Sequence, residues 1–271
     1  NAIFQGGPEV TRIFCQEYEV LDPGCCILAF DPVTELITGS CFYHPRPTHM
    51  SLGIMNVHPD YFGHGIAGRL LGSIMDRAEQ EQKPIRLVSS AMNLDSYSLY
   101  TKSGFVPRMT FQDMIITVPD EGFPADVHVR DATLADLPEI VKLELGLQHI
   151  NREKDYRHLL ENGSGIWHLS VYEDEQRKIT GVLGSVVHPG SNMLGPGVAC
   201  TESQAAALIR AELGHHRGRS PVVVIPVTCG DLIQDMYALG ARNCEMHVNQ
   251  VRGTYTTGSG VLLPTFMPES C

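Results

Sequence analysis

The segment Val57-His58-Pro59-Asp60-Tyr61-Phe62-Gly63-His64-Gly65-Ile66-Ala67-Gly68-Arg69-Leu70-Leu71 carries the sharpest chemical signal in the chain. It reads as a strand running into a glycine-rich turn that opens a helix. Glycines take positive φ and let a ligand approach the backbone closely. The first amides of a helix have no internal partner, and the macrodipole adds roughly half a positive charge there. Such a terminus holds a phosphate or pyrophosphate. The plainer alternative is a tight turn whose glycines serve only packing. No Lys-Ser or Lys-Thr follows the glycines, which excludes a P-loop. Gly63, Gly65 and Gly68 have dinucleotide-fingerprint spacing, but the strands before them read as a meander, and no acid ends the next strand.

The second segment lies thirty residues on: Asn93-Leu94-Asp95-Ser96-Tyr97-Ser98-Leu99-Tyr100-Thr101-Lys102-Ser103-Gly104-Phe105. Together the two segments resemble the GNAT acyltransferase superfamily over residues 25–118. The family's pyrophosphate loop, Arg/Gln-x-x-Gly-x-Gly/Ala, reads here Phe62-Gly63-His64-Gly65-Ile66-Ala67. Gly65 and Ala67 match, and Phe62 departs. The family's second signature, an Asn seven residues before a Tyr and then Lys-x-Gly-Phe, is met by Asn93, Tyr100, Lys102, Gly104 and Phe105.

The resemblance implies an acyl-CoA cosubstrate, most simply acetyl-CoA, and no metal. Met55, Asn56 and Val57 would pair their backbone with the pantetheine arm. The loop Phe62, Gly63, His64, Gly65, Ile66, Ala67 and Gly68 would hold the pyrophosphate. Asn93 would hydrogen-bond the pantetheine, with Ser96 and Tyr97 lining the same channel. Tyr100 would protonate the departing thiolate, a fitting role for a phenol near pKa 10 facing a thiol near 8.5. Many relatives place a basic carboxylate on the strand before the loop, but Met50-Ser51-Leu52-Gly53-Ile54-Met55-Asn56-Val57 has none. His49 and His58 flank that strand and are the candidate bases. The reaction implied is acetyl transfer to a primary amine. A non-catalytic CoA-binding regulator, or transfer of another acyl or aminoacyl group, remains open.

The elements needed to position these residues repeat. Strands are expected at 25–30, 36–43, 50–57, 85–89 and 111–118, and helices from the loop to Pro84 and over 95–102. The second half gives strands at 127–130, 167–172, 179–187, 195–199, 222–227 and 246–251. Its helices open at Thr133, with Asp136 completing a capping box, and span 155–162, 203–213 and 232–239. Leu99-Tyr100 to Gly104-Phe105 aligns with Met236-Tyr237 to Gly240-Ala241, a weak repeat at half the chain. Val118 to Asp126, with two prolines and a glycine, reads as a linker.

The expected fold class is therefore α/β (α+β): two GNAT-like domains, 1–120 and 125–271. Each would be a mixed, mostly antiparallel sheet, splayed at its central strands and flanked by helices. The first copy is short, with only Val10–Tyr18 as a helix before its first strand. The second replaces the glycine loop with Cys200-Thr201-Glu202-Ser203, and Glu202 would repel a pyrophosphate.

The 271 residues carry 20 basic and 31 acidic side chains, net −11, without a basic stripe for nucleic acid. The balance mildly favours a cationic acceptor. No apolar run is long enough to cross a bilayer. The eight cysteines form no C-x-x-C pair and read as reduced, mostly buried thiols of a cytoplasmic protein. Self-association as a homodimer stays open.

Overall fold

A computed structural model describes residues 7–124 and 126–270. After a short 3-10 turn (Pro8–Thr11) come α1 (Arg12–Leu21), β1 (Cys26–Asp31), β2 (Leu36–Pro45), β3 (Met50–Val57), α2 (Ile66–Gln80), β4 (Ile85–Ser90), α3 (Leu94–Lys102) and β5 (Val106–Ile115). The second half continues with β6 (Val129–Asp131), α4 (Leu137–Gln148), α5 (Glu153–Glu161), β7 (Trp167–Glu173), β8 (Ile179–His188), β9 (Ser191–Ala199), α6 (Glu202–Leu213), β10 (Val222–Pro226), α7 (Gly230–Ala238) and β11 (Arg242–Arg252). Three short strands close it: β12 (Val261–Leu263), β13 (Thr265–Phe266) and β14 (Glu269–Ser270).

The repeat is visible in backbone bonds. Gly39 pairs with Val57 in the first half as Gly181 pairs with Ala199 in the second. His58 N donates to Thr38 O at 2.9 Å, and Cys200 N donates to Thr180 O at 3.0 Å. In each half the central parallel pair touches at two positions and then parts: Met50 and Ser51 with Ile85 and Arg86, and Met193 and Leu194 with Val222 and Val223. Each half thus has a V-shaped opening, between β3 and β4 in the first and between β9 and β10 in the second, the expected splay.

The two halves exchange β5 and β11. The sheet order is β1-β2-β3-β4-β11-β5-β10-β9-β8-β7-β6, so β11 of the second half lies between β4 and β5 of the first. In turn, β5 pairs with β10 of the second half. Nothing in the periodicity announced this, because a strand's pattern records its faces and not its neighbours.

Alternation along β2 separates the two faces. Cys41 and Tyr43 join Leu70, Leu71, Ile74, Ile85, Leu87 and Tyr100 in one core beneath α2 and α3. Phe42 faces the other way, into a core shared with Phe14 and Tyr18 of α1 and with the second half. Ion pairs reinforce that contact: Arg46, just after β2, binds Asp155 of α5, and Lys154 reaches Asp22 at 2.7 Å.

The sequence expectations need five adjustments. The strand expected at 111–118 runs from Val106 to Ile115, the one at 195–199 begins at Ser191, and the one at 246–251 begins at Arg242. Only Cys41 and Cys229 of the described cysteines are buried, while Cys15, Cys200 and Cys244 are exposed. The repeat alignment is off by one. Phe105 N bonds Tyr100 O, and Ala241 N bonds Met236 O, with Gly104 and Gly240 both at φ 85°. Met236 therefore takes the place of Tyr100, and Tyr237, turned 100° around the helix, is 44% exposed. No helix among the described residues is long and apolar enough to cross a membrane.

Candidate active site

β3 leads into the loop through a 3-10 turn at Pro59–Tyr61, and His58 caps it by accepting from Asp60 N at 3.3 Å. Gly63 and Gly65 sit at φ 79° and 73°, the left-handed region that glycine enters without strain. Gly65 is the N-cap of α2, and no side chain bonds the helix terminus. A Cβ at Gly63, Gly65 or Gly68 would meet nothing within 4 Å, so open space lies over the loop. α2 is fixed from behind, because Ile66, Leu70, Leu71, Ile74 and Ala78 are buried on one stripe. The result is an exposed, rigidly backed helix N-terminus suited to an anion.

Phe62, in place of the usual basic or amide side chain, is 66% exposed beside this loop. Met55 and Val57 are half-buried on β3, and Asn56 is exposed. Across the opening, Asn93 caps α3, its side-chain oxygen accepting from Ser96 N at 3.1 Å. Ser96 and Tyr97 are half-buried on the first turn. Tyr100 lies one turn deeper, buried, with its ring 5.8 Å from Phe105. Burial raises its hydroxyl well above the ordinary phenol value, and the nearby Cys41 and Glu269 push the same way. A phenol so placed keeps its proton at rest and is available as an acid.

The two candidate bases lie apart. His58 is half-exposed in the 3-10 turn, 3.9 Å from Asp60. His49 is buried at the far end of β3. Burial lowers its pKa well below the histidine range, and Arg86, Arg152 and Arg46 lower it further.

A carboxylate that motif reading missed enters from the end of the chain. β14 packs against β3 and β4 and brings Glu269 to the V. Tyr18 donates to Glu269 Oε2 at 2.7 Å, across 251 residues of sequence. His44 Nε2 stands 3.5 Å from the same oxygen, and His44 Nδ1 is 2.8 Å from Asp22. Burial alone would lower His44, but Asp22 and Glu269 outweigh it and raise its pKa. No local spacing could have shown this, since the partners come from α1, β2 and β14.

The second half fills its own equivalents. Val261, Leu262 and Leu263 of β12 pair with Ala199, Val198 and Gly197 on the free edge of β9. Those β9 residues are the counterparts of Val57, Asn56 and Met55, by the Gly39–Val57 and Gly181–Ala199 pairs. The connection from strand to helix shrinks from residues 58–65 to Cys200 and Thr201 alone. Thr201 caps α6, and Glu202 Oε2 accepts from Leu232 N at the start of α7 at 2.8 Å. A cavity of about 570 Å³ survives there, lined partly by Glu202, Asp231 and Asp235, an acidic wall for any anion.

Residues 4–105 match the model of the acetyltransferase (GNAT) family. No curated protein sequence matches the chain. Among solved structures, a Pyrococcus horikoshii protein assigned as an acetyltransferase is 15% identical, with TM-score 0.72 over 95% of this chain and 91% of its own. A tandem GNAT protein from the clavulanic acid biosynthesis pathway is 13% identical, with TM-score 0.59 over 92% and 90%. Saccharomyces cerevisiae N-myristoyltransferase with bound myristoyl-CoA is 11% identical, with TM-score 0.58 over 89% and 71%. At these identities the likeness is one of fold. The chain carries a GNAT acetyltransferase domain in its first half, and the chain as a whole has the GNAT fold.

Proposed function

We propose that the chain is an acyl-CoA-dependent N-acyltransferase whose first half, residues 1–120, binds the cosubstrate and whose second half, from residue 125, no longer does. The observation that carries this reading is the contrast between the two openings. The edge of β9 is taken by β12, which hydrogen-bonds along it as an added strand. The matching residues Met55, Asn56 and Val57 have no described strand paired along their edge facing the opening, and an open glycine loop follows them. The pantetheine arm would take on β3 the place that β12 takes on β9. The pyrophosphate would lie over the amides of residues 63–68, with Phe62 packing beside it.

Acetyl-CoA is the simplest donor, and a primary amine, cationic in its resting form, is the acceptor. The nitrogen attacks the thioester carbonyl, the carbon–sulfur bond breaks, and Tyr100 gives its proton to the departing sulfur. Titration calorimetry with acetyl-CoA, followed by thiol-release assays against pooled amines, tests the reading. Binding with turnover supports it. Binding without turnover of any amine makes the chain a CoA-binding regulator, and absence of binding overturns the proposal.

A further inference from the structure

The strand before the loop has no acid, yet a carboxylate stands beside it. Gly53 of β3 lacks a side chain, and a Cβ there would lie 3.1 Å from Glu269 Oε2 and 3.0 Å from His44 Nε2. The room that residue 53 leaves vacant is thus occupied by an acid delivered from β14. Its surroundings are built rather than incidental. Tyr18 is fully enclosed and holds Oε2, and its hydroxyl also lies 3.1 Å from Phe266 O. His44 is 1% exposed, and its Nε2 has no hydrogen-bond partner although Nδ1 is fixed by Asp22. With Nδ1–H donated to Asp22, neutral His44 presents the Nε2 lone pair toward the carboxylate. Tyr18 already donates to Oε2, so Nε2 is the acceptor left without a donor in this buried recess, and an ammonium or amine N–H between the two is that donor.

Resting on the acyltransferase reading, we infer that Glu269 is the proton acceptor for the amine, with His44 Nε2 as its second anchor. A substrate ammonium gives one proton to the Glu269 carboxylate. The freed lone pair forms the carbon–nitrogen bond, and the carbon–sulfur bond breaks with its electron pair on sulfur. Tyr100 supplies the thiol proton and recovers one from the nitrogen, and the proton on Glu269 leaves to solvent. Acid and base approach the V from opposite faces of the sheet, Tyr100 with the α2 core and Glu269 with α1.

The groups facing Glu269 are Tyr18 from α1, His44 and Cys41 from β2, and Tyr100 from α3, with Asp22 and Arg46 behind His44. When His44 is protonated, its Nε2–H turns to Glu269 and removes the second acceptor. Turnover of alkylamines therefore rises with pH through a value above the ordinary histidine pKa.

The test compares wild type and Glu269→Gln, an isosteric change that still accepts from Tyr18, on two acceptors. An alkylammonium needs deprotonation, whereas a hydroxylamine-type acceptor is already neutral at the assay pH. The inference expects kcat/KM for the alkylamine to fall about 10²–10⁴-fold. The neutral acceptor should lose less than about tenfold, a change too small for loss of general-base help, with KM for acetyl-CoA unchanged. Equal losses on both acceptors would make Glu269 structural, and no loss on either would remove it from the reaction. Wild type that turns over no amine sinks the acyltransferase reading itself. Should Glu269→Gln fail to fold, Tyr18→Phe keeps the carboxylate but removes its hydrogen bond. It should cut kcat/KM for the alkylamine while sparing the neutral acceptor, because the carboxylate loses the bond that aims it. Equal losses on both acceptors overturn the inference.

Discussion

In the proposed site Tyr100 and Gly65 have separate roles, proton donor and pyrophosphate loop, and should fail in separable ways. Tyr100→Phe keeps the ring against Phe105 and removes only the hydroxyl. Turnover should fall about 10²–10³-fold, the scale of lost general-acid help. Affinity for acetyl-CoA by calorimetry should stay within a factor of about two, a change of about 0.4 kcal/mol or less. Gly65→Ala does the reverse. No neighbour would clash, but φ 73° costs a non-glycine residue about 1–2 kcal/mol. The helix terminus either distorts or bears that strain, so melting temperature and acetyl-CoA affinity should fall together while the chemistry of bound substrate persists. Asp22 adds a pH dependence. Burial opposes its charge, but His44, Arg46 and Lys154 hold its carboxyl well below the ordinary value. That stabilisation is present above about pH 4, near the unfolded value, and is lost as pH falls below it. Asp22→Asn should therefore flatten the acid side of a melting-temperature profile while lowering its plateau.

Local patterns legible in the sequence became elements with small boundary errors. β3 begins at Met50 and ends at Val57 as its flanking residues indicate, and α2 carries the buried stripe its spacing required. The capping box of Thr133 and Asp136 forms as its chemistry predicts. What failed was whatever depended on distant residues. The off-by-one reading of Tyr237 arose from matching residue types, whereas the αL glycine after each helix fixes the true register. The strand exchange and the arrival of Glu269 rest on pairings more than a hundred residues apart, where no period can point. At this scale Glu202 gives a test. It holds the amide of Leu232, so Glu202→Ala should cost about 1–3 kcal/mol in urea unfolding by leaving a backbone donor unpaired. Acetyl-CoA stoichiometry should stay at one, because β12 still occupies the β9 edge.

The exchange of β5 and β11 ties the halves into one sheet, and the buried Arg46–Asp155 pair joins them on the α1 face. Residues 1–120 expressed alone would lack β11 between β4 and β5, exposing two strand edges. Either half alone should be aggregated or poorly folded by circular dichroism and gel filtration, while co-expression should restore a folded complex. A monomeric, cooperatively melting single half would contradict the interlocked sheet. Arg46→Ala should destabilise the full chain by about 3–5 kcal/mol, because it strands a buried carboxylate. The same interlock sets a timetable during synthesis. β5 is complete at residue 115, but its neighbour β11 begins only at residue 242. At about 5–20 residues per second, the nascent first half waits on the order of ten seconds with its central strands unpaired. The candidate site, built beside β4, cannot close its sheet before residue 252 is made, so no nascent chain shorter than that can carry it finished.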